Sequence, residues 1–357
     1  MSEHAYDDFV LRPRRESFLA RYPRNFKMAV TVAMLALLIL PPAWIHGRLH
    51  KRSPSRGEIS SAADLDMTNM PSMGNKIAVD LNAPALNDQD DRSLKLNPAP
   101  DMRISEETAD GSLPRISEDG ARPWQVYARP FNAADKRPRV AIVITDLGLS
   151  RVITDRVIAQ LPPTVTLALS AQGPVVASWA ARARQDGHEI LLQVPMEPFD
   201  YPRSDPGPDT LLTNLPNSDN MGRLYKMMRR ASGYVGITSV TGSRFTTDSN
   251  KLTPVMTAIH DRGLMVLDAR AAPHSVVADM ARSANVPVAT VTQRLDGDLS
   301  PEAIAAALDD LEKTAIQSGR AVGIASPTPL MITALQNWAK TLPQRGIALA
   351  PLSAMVQ

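Results

Sequence analysis

Short apolar runs and helix-length amphipathic stretches alternate along the second two-thirds of the chain. The β-rich runs are Val140 to Ile144, Val165 to Leu169, Glu189 to Val194, Tyr234 to Thr238, Leu264 to Leu267, Val288 to Val291, Ala321 to Ile324 and Ile347 to Ala350. Each is apolar enough to be covered on both faces, which predicts parallel strands inside a helix layer. Between most of them lie segments such as "GPVVASWAARARQDG" and "SPEAIAAALDDLEKTAIQSG". The second carries Ser300 as an N-cap, Pro301 at the first helical position and Gly319 as terminator. Seven or eight such β-then-α units specify an α/β fold, either a parallel barrel or a strongly twisted sheet. In both, functional side chains are expected at the C-terminal ends of strands.

The N-terminal third follows a different pattern. Met28 to Ile45 is free of charge and, at a rise of about 1.5 Å per residue, extends roughly 27 Å, the thickness of one bilayer core. Arg12, Arg14, Arg15, Arg21, Arg24 and Lys27 precede it, and Arg48, Lys51, Arg52 and Arg56 follow. This predicts a basic cytoplasmic tail over 1–27 and a single transmembrane anchor over 28–46, uncleaved because no small-residue cleavage site follows Trp44. The rest of the chain would be exported, placing the protein in a bacterial inner membrane with its C-terminal domain in the periplasm. From 47 to 120 the chain is rich in Ser, Pro, Asn and Asp and has no aromatic residue, which predicts a disordered linker. Order is expected to begin near "RPWQVYARPF", Arg122 to Phe131, giving one domain over 121–357.

Composition changes this picture little. The chain is 44% hydrophobic and 21% charged, ordinary for a globular protein. Basic and acidic residues nearly balance beyond Arg139, which provides no footprint for nucleic acid. There are no cysteines, so disulfide and thiolate chemistry are absent.

At the strand ends stand Asp146, Gln193, Glu197, Ser239, Ser243, Arg244, Asp268, Arg270, Asp296 and Ser326. Asp146, Glu197 and Asp268 are the candidate catalytic carboxylates. Gln193, Ser243, Arg244, Arg270, Asp296 and Ser326 are the candidate substrate-binding groups.

The stretches "RVAIVITDLG", "DGHEILLQVPMEPFDYP", "GPDTLLTNL", "VGITSVTGSRFTTD", "DRGLMVLDAR" and "WAKTLPQRGIALAPLS" resemble, in order and spacing, the divergent polysaccharide deacetylases. The likeness spans roughly residues 113 to 357, and "PMEP" and "GSRFT" are its most specific pieces. It implies a deacetylase-type irregular barrel and an envelope glycan of N-acetyl sugars as ligand. It also implies a divalent metal held by one aspartate and two histidines, which polarises an acetamide carbonyl and acidifies a bound water. Most of that apparatus is replaced here. The Asp-Asp pair reads Thr145-Asp146, Gln193 stands where a histidine is expected before "PMEP", Val240 where "NNHMGS" has its histidine, and Ser326 where "GHP" has another. Beyond residue 120 the histidines are His188, His260 and His274, with no pair at helical or strand spacing.

Three readings remain open. The first is a membrane-tethered glycan-binding domain that has lost metal chemistry and holds no cofactor, with Asp146 the one residue left to meet a metal. The second is a working hydrolase in which Asp146, Glu197, Asp268 and Asp296 form an oxygen-rich site for a hard divalent ion. The third is an interaction scaffold for envelope-remodelling proteins. A Ser-His-Asp triad of Ser243, His274 and Asp268 lacks the glycine pattern of a nucleophile elbow.

Overall fold

The computed structural model describes Arg92 and residues 94–356. The candidate cytoplasmic tail, the apolar run 28–46 and the linker up to residue 91 lie outside the described residues. No helix among the described residues is long and apolar enough to cross a membrane.

A parallel sheet forms the centre. Its strands are β3 (Arg139–Leu147), β4 (Thr166–Ser170), β5 (Ile190–Gln193), β6 (Gly236–Thr238), β7 (Met265–Asp268), β8 (Val288–Thr290), β9 (Gln293–Arg294), β10 (Arg320–Ala325) and β11 (Ala348–Leu349). They run in the order β8-β7-β6-β5-β4-β3-β10-β9, with β11 beside the first residues of β3. The two ends of this series are consecutive in the chain. The Val291 N–H donates to Asp268 O on β7, and the Thr292 N–H donates to Val322 O on β10. Residues 288–295 therefore leave one end of the sheet and join the other, curling it into an incompletely closed barrel. All eight apolar runs of the sequence contain strands; β9, two residues of mixed polarity, had no periodic signal.

Alternation along β3 fixes the layers. Val140, Ile142 and Ile144 pack outward against helices, and Ala141 and Val143 point inward. The interior is a packed core, closed at the N-terminal end of the strands by Leu352 and Met355 of the C-terminal turn and by Tyr127. Small residues at Ala141, Ala168 and Ala289 leave room for these large ones. Outside lie α2 (Arg151–Gln160), α3 (Val176–Gln185), α4 (Asn217–Met228), α5 (Ser249–Asp261), α6 (Val277–Ser283), α7 (Pro301–Ser318) and α8 (Pro329–Ala339). Helix α7 begins and ends where the sequence places its signals. The Ser300 hydroxyl accepts the Ala303 N–H, Pro301 is the first helical residue, and Gly319 takes the left-handed conformation at φ 82°.

The N-terminal boundary differs from the sequence expectation. Within the stretch predicted as disordered, a 3-10 turn (Met102–Ile104) leads into a hairpin of β1 (Ser105–Thr108) and β2 (Gly111–Pro114), followed by the short α1 (Pro123–Val126). Composition missed it because the hairpin borrows its stability from the barrel. Ile104 and Leu113 are its buried anchors. The rest is polar: Arg262 reaches Glu106 and Pro114 O, Arg229 Nε donates to Thr108 Oγ1 at 3.0 Å, and Arg184 donates to Asn97 O at 2.7 Å.

Candidate functional site

The C-terminal ends of β3, β4, β5 and β6 present one inward layer. Ser170 on β4 is in register with Gln193 on β5, which is in register with Thr238 on β6. On β3 the last inward residue is Thr145, which precedes the register shift and lies one inward step before Ser170, and all four are buried. Sequence reasoning missed Ser170 and Thr238; each is the last residue of its strand, the only signal available.

Asp146 sits at the edge of this layer, half-buried, where the β3–β4 register shifts between Ile144 and Leu147. Its backbone is left-handed at φ 57°, a conformation that costs an aspartate roughly 1 kcal/mol or more. Gln193 holds it there with both ends of one amide: Gln193 Oε1 accepts the Asp146 N–H at 2.9 Å, and Gln193 Nε2 donates to Asp146 Oδ1 at 2.7 Å. Thr145 Oγ1 donates to Asp146 Oδ2 at 2.9 Å. Each carboxylate oxygen thus accepts one neutral donor and keeps further lone-pair capacity for a ligand hydroxyl or amide.

The other two candidate carboxylates do not join Asp146. Glu197 is buried, and its Oε2 accepts the backbone N–H and hydroxyl of Thr213 at 2.5 and 2.7 Å. Its Oε1 meets the half-exposed Arg244 guanidinium at 3.4 Å, and its carbonyl accepts the N–H groups of Arg244 and Phe245. Glu197 therefore clasps three loops, and Arg244 is part of that clasp rather than a free binding group. Asp268 follows Val266 in the strand alternation and lies on the helix-facing side of β7, where Oδ1 accepts the Arg270 N–H and the Ser275 hydroxyl at 2.9 and 3.0 Å. It fixes the loop leading to α6, on the opposite face of the sheet from the inward layer beside Asp146.

The remaining candidates divide. Asp296 accepts the Ser326 N–H at 2.7 Å and Arg294 at 3.1 Å. Burial alone would raise its carboxyl, but these donors hold it below the ordinary carboxylate range. Asp296 and Ser326 thus fasten two loops together. The Ser243 hydroxyl accepts the Phe199 N–H at 3.0 Å and is turned away from nucleophilic duty. With Asp268 on Ser275 instead of His274, no Ser-His-Asp triad forms. Arg270 is exposed and left-handed at φ 49°, and its guanidinium has no hydrogen-bond partner among the described residues. It is the one sequence-named cation free to meet a ligand.

Among the described residues, none of the three histidines His188, His260 and His274 reaches Asp146 through a hydrogen bond. His188, at the opposite end of β5, is fully buried between Val165 O and Ile158 O at 2.9 and 3.2 Å. Burial pushes its imidazole down to about 4. His260 lies beside Asp261 at the end of α5, and His274 is exposed in the loop before α6. The donor set around Asp146 is one carboxylate with the amide of Gln193 and the hydroxyl of Thr145, and it contains no imidazole. Those residues do not fit the metal that the resemblance implies, which requires nitrogen ligands beside the aspartate. Among the described residues no group of three or more His, Cys, Asp or Glu side chains is placed to hold a metal ion.

A curled parallel sheet with its polar layer at the strand C-termini, and an aspartate ending the first long strand, is the deacetylase type of α/β fold. The family model "Divergent polysaccharide deacetylase" matches residues 142–356, and the chain belongs to that family. It is similar to an uncharacterized protein of Agrobacterium tumefaciens C58 of known structure, with 41% identity and a TM-score of 0.67 over 69% of this chain and all of the other. It is also 27% identical to an uncharacterized protein of Haemophilus influenzae, covering 58% of this chain and 72% of that protein. The uncharacterized protein YibQ of Escherichia coli is 26% identical over 57% of this chain and 63% of its own length.

Proposed function

We propose that this domain binds an N-acetylated envelope glycan at the Asp146 layer without the metal-dependent hydrolysis of its fold type. The observation that supports this reading is the donor set of Asp146, in which the Gln193 amide and the Thr145 hydroxyl each give one neutral hydrogen bond to its carboxylate and no imidazole or second carboxylate stands beside it among the described residues. Asp146 accepts a sugar hydroxyl or acetamide N–H, and the unpaired Arg270 guanidinium donates to a sugar oxygen or carboxylate. Membrane anchoring through residues 28–46 and a periplasmic location belong to the same proposal. Either keeps the domain close to the glycan.

Calorimetric titration of N-acetylglucosamine oligomers into the full chain tests it. Binding that weakens about tenfold or more in Asp146→Ala and in Arg270→Ala is expected, since each removes a charge-assisted hydrogen bond worth about 1.5–3 kcal/mol. No binding, or binding indifferent to both changes, overturns it.

One observation favours the interaction-scaffold reading. Of the large apolar side chains exposed among the described residues, Leu149, Val152, Val175, Phe199, Leu299 and Leu330 all lie in the loops or first helical turns at this same end of the barrel. An apolar rim of that kind suits a protein partner. On that reading the double variant Leu149→Lys, Val175→Lys keeps its oligosaccharide affinity and loses a co-purifying envelope protein; retained co-purification contradicts it.

A further inference from the structure

A cavity opens through the barrel wall, with a lining that does not include Asp146. It is a cleft of about 540 Å³ between β8 and the first residues of β10, floored by Met355, within the range of natural ligand sites. Its origin is topological. The β8–β9 junction is only Val291 and Thr292, too short to supply a covering helix, so the outer layer passes from α6 to α7 with the seam bare between them.

The two walls of the cleft differ. On β10 the edge groups are already satisfied: Thr292 donates its N–H to Val322 O and its hydroxyl accepts the Val322 N–H, and the Ser318 hydroxyl donates to Arg320 O. On β8, the Val266 N–H donates to Pro287 O and the Val291 N–H to Asp268 O, so Pro287, Ala289 and Val291 turn their peptide groups toward β7. By alternation Val288 and Thr290 turn theirs into the cleft, and no strand among the described residues pairs with them there. An open strand edge in a cavity is a template for strand addition. The charge of the lining chooses the ligand. Arg282 and Arg320 stand at the cleft and no Asp or Glu lines it. Arg282 shares one ion pair with the highly exposed Asp279, and Arg320 donates one N–H to Met355 O, which leaves each guanidinium several donors.

We propose that this seam is a second binding site, which takes an extended acidic peptide segment as an added strand on β8 with its carboxylates on Arg282 and Arg320. A fluorescein-labelled Glu-Val-Glu-Val-Glu peptide is titrated into the full chain by anisotropy, with Lys-Val-Lys-Val-Lys as control, while amide exchange is followed at Val288 and Thr290. The account expects saturable binding of the acidic peptide alone, protection of both amides, and at least tenfold weaker binding in Arg282→Glu. Thr290→Pro, which removes a donor facing the cleft and none facing β7, is expected to abolish binding. Two results overturn the proposal: no saturable binding, or binding unaffected by Arg282→Glu with no protection of Val288 and Thr290. Should Thr290→Pro fail to fold, Arg282→Glu and the exchange data still decide.

Discussion

Gln193 shows how a single side chain can redirect a site. One amide closes on both the backbone and the carboxylate of Asp146 and so fixes an aspartate in the left-handed conformation. In sequence Gln193 could be named only as a polar residue at a strand end, because pairing across two strands depends on register. Asp268 was misplaced for the related reason that a period-2 strand sends alternate residues to opposite faces, and the turn after β7 sets which face ends the strand. His188 provides a residue-scale test. Its folded pKa, pushed down to about 4 by burial, lies below the unfolded value near 6.5. Between those values the unfolded chain binds a proton that the fold excludes. Stability is therefore complete above pH 6.5 and falls as pH drops toward 4, by up to about 3 kcal/mol from this group. Urea denaturation at pH 7 and pH 5 should show that loss in the native chain and a smaller one in His188→Gln; equal slopes would remove His188 from the account.

At the scale of elements, eight of the strands are legible because each is a short apolar run and most are separated by helix-length amphipathic segments, whereas β9 follows β8 with no helix between them. The hairpin of β1 and β2 was not, since its sequence is mostly polar and its contacts beyond the buried Ile104 and Leu113 come from distant arginines. Arg262 touches both strands of the hairpin, at Glu106 and Pro114 O, and the face of Tyr225. Its replacement by alanine should free the hairpin and leave the barrel intact. Amide exchange over residues 105–114 is expected to accelerate at least tenfold, while the melting temperature moves by only a few degrees. Concerted loss of the whole domain would show that the hairpin is instead integral to the barrel core.

At the scale of the whole molecule, the domain keeps the architecture of the divergent polysaccharide deacetylases around a site whose donors are an amide and a hydroxyl. The fold could be read from its periodicity and its motifs. The state of the site rests on the contacts that hold Asp146 and on Thr145, Gln193, Val240 and Ser326 standing where the resemblance implies a carboxylate or a histidine. Oxygen and amide donors do not acidify a metal-bound water as imidazole-held zinc does, so binding and hydrolysis should separate. Saturation-transfer NMR of an N-acetylglucosamine hexamer with the full chain and added Zn²⁺ observes both at once. The account predicts saturation of the sugar acetyl protons and no growth of a free acetate signal over hours. Steady acetate release that disappears in Asp146→Asn would contradict it.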